Sequence, residues 1–134
     1  MGMIKAEVSA GELLDKISIL EIKAEKIHQP DKLKNVRFEL AKLRQVRDEE
    51  LRNWHLTDDL YISLKAVNEA LWEIEDQLRI LERRKDFSQE FIKLARMVYF
   101  ENDKRARLKR AINEKLGSSI IEEKQYVDYS TSSP

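Results

Sequence analysis

The stretch LYISLKAVNEALWEIEDQLRIL, Leu60 to Leu81, places Leu60, Leu64, Val67, Leu71, Ile74, Leu78 and Leu81 at alternating spacings of four and three. Those spacings put all seven on one face of a helix, and a seam of that length needs a helical partner to cover it. The same spacing continues downstream through Phe91, Ala95, Val98, Asn102, Arg105, Lys109, Ile112 and Leu116. Here the stripe is interrupted: an amide and two cations stand where aliphatics are expected. An unpaired charge is expensive to bury, so Arg105 and Lys109 require carboxylates, a bound anion or water.

Composition supports helices throughout. The 134 residues are 37% charged and 42% hydrophobic, with three Gly and two Pro, a mixture that favours long amphipathic helices over turn-rich sheets. The length suits one domain with a real core. No cysteine is present, which excludes a disulfide scaffold, a thiolate zinc site and a catalytic thiol. Lys+Arg and Asp+Glu balance at 25 each, so no global field draws the chain to nucleic acid or anionic lipid. No apolar run approaches the roughly 20 residues of a membrane span. Met1 to Ser9 has no signal-peptide core, and the expected location is the cytoplasm.

Breakers divide the chain into four helices. Ser9 and Glu12 read as a capping box opening a first helix to about His28, after a short arm, Met3 to Val8, of weak alternation. Its main stripe is Leu13, Ile17, Leu20, Ala24 and Ile27. Leu14, Ile19 and Ile22 fall outside that stripe, so the helix is apolar on more than one side. Such a helix sits centrally or contacts another subunit. A second helix starts at Pro30 and runs to about Trp54, a third spans Asp58 to Lys85, and Ser88 opens a fourth that stops at Gly117. Connections this short make neighbours antiparallel. The expected fold is all-α: an up-down four-helix bundle whose two longer C-terminal helices form a hairpin. Residues 1–129 make one domain, with Ser118 to Tyr129 lying back on it and 130–134 a disordered tail.

Several clusters carry chemistry on paper. An antiparallel contact between first and fourth helices brings Glu21 to the level of Arg105 and Lys109. Glu21, Asn102, Arg105 and Lys109 then form the candidate ligand-binding cluster. Its two readings are a buried network that confers specificity and a pocket for a phosphate, nucleotide or sugar phosphate clamped by Arg105. Antiparallel packing about Phe87 also brings Arg105 near Asn68 and Lys104 near Glu69. Glu69, Glu73 and Asp76 share a face, as in the Mg²⁺-binding all-α nucleotide pyrophosphohydrolases, but that face lies opposite the Leu71/Leu78 seam and reads as solvated. His28 and His55 have no partner at ligand spacing, and no metal or other cofactor is expected. Lys104, Arg107 and Arg110 lack interleaved aromatics, which speaks against nucleic acid.

Four segments together carry a family resemblance: Gly11 to Lys23, Leu64 to Trp72, Asn102 to Arg105, and Ile112 to Ser118. They resemble a family of small uncharacterised bacterial and phage-borne proteins of unknown function, some encoded among glycosyltransferase and surface-polysaccharide genes. The resemblance spans Ser9 to about Tyr126 and brings no catalytic residues with it. It tilts the ligand reading slightly toward sugar-phosphate chemistry. The residues themselves favour an interaction or oligomerisation module, a homo-oligomer or a partner-binding protein, over an enzyme, because nothing completes an active site. The alternative is an all-α enzyme or binding protein for a small anion.

Overall fold

The computed structural model describes residues 2–129, and the tail expected at 130–134 lies outside them. The chain is all-α, with no strand among the described residues. Four α-helices follow one another: α1 (Ala10–Lys26), α2 (Pro30–Glu50), α3 (Asp58–Arg83) and α4 (Gln89–Leu116). A single 3₁₀ turn, Trp54–Thr57, precedes α3.

The boundaries follow local chemistry. Ser9 caps α1, its hydroxyl accepting the Glu12 N–H at 3.1 Å. The Glu12 carboxylate does not return the bond expected of a capping box and turns to Lys109 instead. Helix α2 stops at Glu50, four residues before the expected end, where the chain tightens into the 3₁₀ turn. Thr57 closes that turn by donating its hydroxyl to the Trp54 carbonyl at 2.7 Å, so it does not cap α3. Ser88 holds the N-cap position of α4 without a side-chain cap bond. Gly117 ends α4 in the left-handed region at φ 65°, a conformation that glycine adopts without strain.

Helix α1 packs against all three others, α3 and α4 pack along each other, and α2 makes its main contact with α1. The first helix is therefore the hub, which explains its apolar residues on more than one side. Leu14 and Ile22 are both 1% exposed within the single chain, so the surface read as central or intersubunit is largely spent internally. Helix α2 buries only Val36 and Leu40, as its sparse apolar stripe requires. The core joins Leu13, Leu14, Ile17 and Leu20 to Val36, Leu40, Leu64 and Ile112. Within the Leu60–Leu81 seam, Leu64, Val67, Ile74 and Leu81 are buried, whereas Leu60, Leu71 and Leu78 are only partly covered.

Gly11 lets α1 and α4 meet. Its N–H donates to the Asn113 side-chain carbonyl at 2.6 Å. A Cβ there would lie 2.5 Å from the Lys109 carbonyl oxygen and 2.9 Å from Asn113 Oδ1. A backbone acceptor in mid-helix has no room to retreat. Gly11→Ala is expected to cost about 1–3 kcal/mol in urea unfolding despite alanine's better helix preference. Unchanged or increased stability in that variant would show that α1 and α4 can separate freely.

Candidate functional site

The polar stripe of α4 meets the first two turns of α1. Glu12, Asp15 and Ser18 recur every three residues and share a side of α1, while Arg105 and Lys109 are one turn apart on α4. Asp15 is wholly buried. One of its carboxylate oxygens accepts from Arg105 Nε at 3.0 Å and from Asn68 Nδ2 at 2.9 Å; the other accepts from Arg105 Nη2. Ser18 accepts a second hydrogen from Asn68 at 2.8 Å and donates its own to the Asp15 carbonyl at 2.7 Å. Three helices thus converge on one carboxylate, and no buried side-chain polar atom among the described residues lacks a partner. The forked guanidinium is the geometry that a buried carboxylate rewards.

Lys109 is satisfied twice, by Glu12 at 2.6 Å and by Glu122 at 3.2 Å. Glu122 belongs to the segment after α4, which lies back on α4 as expected. Its other oxygen accepts from Ser9 at 3.1 Å, Glu123 pairs with Arg110 at 3.2 Å, and Tyr129 donates to Asp103 at 2.5 Å. The hydrogen bond to Asp15 raises the Arg105 pKa against the opposing effect of burial. Burial pulls the Lys109 pKa down, but Glu12 and Glu122 together raise it.

Of the four residues expected to cluster, only Arg105 and Lys109 lie side by side in this network. Glu21 is elsewhere, facing α2 and the start of α3. It pairs with Arg44 at 2.6 Å, accepts from the Tyr61 hydroxyl, and lies 3.8 Å from Lys65. The carboxylate opposite Arg105 is Asp15, six residues earlier, because the close approach at Gly11 sets the α1–α4 register. Asn102 lines a shallow groove with Tyr99, Tyr126 and Tyr129, and its amide makes no hydrogen bond among the described residues. Asn68 does meet the Arg105 level, as the Phe87 turn predicted; Lys104 pairs with Glu101 at 3.1 Å rather than reaching Glu69. Asp15 and Ser18 were missed. Their signal was available: a helix apolar on several sides leaves little solvent face, and Lys16 and Glu25 occupy it.

Tyr61 is the most perturbed titrating group. Burial, and then its bond to Glu21, push the phenol far above its usual 10.0. Lys109 is likewise raised above 10.5. Both native groups hold protons that the unfolded chain releases, so their stabilisation is complete below about pH 10 and declines as pH rises beyond it. In an alkaline absorbance titration, Tyr61 should ionise only as the helices melt, and Tyr61→Phe should remove that late step. A Tyr61 that ionises near pH 10 with helicity intact would contradict the burial.

Arg105 Nη1 makes no hydrogen bond among the described residues, and the guanidinium edges a cleft of about 340 Å³. Ile19, Ile22, Leu71 and Trp72 form its apolar wall; Glu75, Asp76 and Arg79 stand at its side. Among the described residues no three His, Cys, Asp or Glu side chains gather as a metal site, and no helix is long and apolar enough to cross a membrane. A family model matches residues 4–134. The chain belongs to DUF6165, a family of unknown function. The DUF6165 match takes in all four segments that carried the resemblance and every residue of the Asp15 network. Comparison with curated proteins and with solved structures returns no match.

Proposed function

We propose that this DUF6165 chain is an interaction module acting in the cytoplasm, built as an up-down bundle in which α3 and α4 form a hairpin presented to a protein partner or a second copy. The observation that carries the reading is the pairing of the α4 cations: Arg105 is held by Asp15, and Lys109 by Glu12 and Glu122. The stripe that interrupts the seam thus serves as an internal lock rather than as an open anion site. Short connections at 27–29 and 84–88 support the antiparallel connectivity. The core cluster takes Leu60, Tyr61 and Leu64 from α3 and Leu108, Ile112 and Leu116 from α4. Apolar residues between those sets, such as Phe87 (53% exposed) and Ile92 (47%), are left for contacts beyond the core.

A second reading rests on the free edge of Arg105 at the cleft: a small anion, such as a phosphate or sugar phosphate, bound there. The cleft also contains Glu75 and Asp76, which oppose an anion. Thermal-shift measurements with inorganic phosphate, nucleotides and sugar nucleotides separate the two. The interaction reading expects no shift. A ligand present at a hundred times its Kd would add about 2.7 kcal/mol of apparent stability. A saturable rise of that size would replace the interaction reading with the ligand reading.

A further inference from the structure

The exposed face of α3 carries charges in an order that matches its own reversal. Opposite the buried seam of Val67, Ile74 and Leu81, the helix turns Trp72, Asp76, Arg79 and Arg83 outward at spacings of three and four. Acid comes first along this face, at Asp76, and base follows, at Arg83; Glu75 and Arg84 flank it on opposite sides of the helix. Asp76, Arg83 and Arg84 are exposed, and their side chains make no ion pair or hydrogen bond among the described residues. Arg79 is already served by Glu75 of the same helix at 4.0 Å. Half-buried Trp72 stands at one end of the stripe and exposed Phe87, in the turn, at the other.

We propose that this stripe is the seam of a two-fold, antiparallel homodimer. The proposal rests on the interaction reading and names its partner as a second copy of the chain. Seven residues separate Asp76 from Arg83, about 10 Å along the helix at 1.5 Å per residue. A two-fold axis at the level of Arg79 and Ile80 sets Asp76 of each copy against Arg83 of the other, while Arg79, at the axis, keeps its own Glu75 as partner. The same axis carries Trp72 toward Phe87 of the second copy, closing each end with an aromatic contact. A parallel arrangement puts like on like, Asp76 on Asp76 and Arg83 on Arg83, and is repelled. A purely basic partner suits Asp76 but meets Arg79 and Arg83. A surface with the opposite order of charges serves Asp76 and Arg83 together, and the reversed copy supplies it.

Charge swapping tests this directly. Sedimentation of the wild type at low ionic strength should show a dimer that weakens as salt rises. Asp76→Lys and Arg83→Glu each create a like-charge contact at both ends and should raise the dimer Kd by about tenfold or more. Mixing the two variants should restore a heterodimer, since each reversed charge then faces its opposite. Helicity by circular dichroism checks folding; if a reversal does not fold, Asp76→Asn and Arg83→Gln take its place and should weaken the dimer less. A wild type that stays monomeric at hundreds of micromolar (an order-of-magnitude choice above weak-contact affinities) overturns the proposal. So does a mixture that stays monomeric. A wild type that dimerises as strongly after either reversal also overturns this surface but leaves the interaction reading standing, whereas that reading falls on the ligand-induced thermal shift.

Discussion

Arg105→Met is expected to destabilise the chain by about 3–5 kcal/mol in urea unfolding, the usual cost of stranding a buried charge. The loss arises at Asp15, which is wholly buried and would keep only the Asn68 amide of its present donors. Pairing the change with Asp15→Leu removes the stranded carboxylate, and the double variant should recover much of the stability, because apolar replacement of a whole buried pair is often neutral or better. The cycle isolates their coupling. Glu21→Gln provides the control, since its partners are Arg44, Tyr61 and Lys65, and it should not couple to Arg105. Near-zero coupling with each single variant as stable as the wild type would defeat the lock and return Arg105 to the ligand reading.

Leu64→Ala should cost about 2–5 kcal/mol, the range for emptying a closed aliphatic site. Leu64 is fully buried among residues of α1, α2 and α4. Leu71→Ala should cost clearly less, since Leu71 is half-buried on the wall of the cleft and the space it leaves opens to water. Equal losses at the two positions would mean that the cleft is closed in solution.

The seam that announced the helices treats Leu64 and Leu71 as equivalents, and that marks the limit of a periodic pattern. Spacing states which residues share a face; it does not state how far along that face the covering helix extends. The helices, the Ser9 and Gly117 caps and the need for carboxylates opposite Arg105 and Lys109 were legible, because each depends on neighbours within a few turns or on the charge itself. Asn68 was placed correctly beside Arg105 because the short turn at Phe87 fixes the α3–α4 level. The partner from α1 was not. Helices α1 and α4 are joined by no short turn, so their register depends on the close contact of Gly11 with α4, and a shift of six residues exchanged Asp15 for Glu21. A glycine within an otherwise strong helical pattern was the available sign of that contact.

The hub position of α1 has a consequence for the order in which the molecule is made. Its bonds to α4 join residues 90 to 102 positions apart, from Asp15–Arg105 to Gly11–Asn113. A ribosome delivers α1 well before its partners in α4. Helix α2 can dock early through contacts of short range, but the side of α1 that carries Asp15 must stay hydrated until α4 emerges. The carboxylate is desolvated only when the guanidinium arrives with it. The unpaired charge that would make a half-built core costly therefore keeps that core open until α4 has been made.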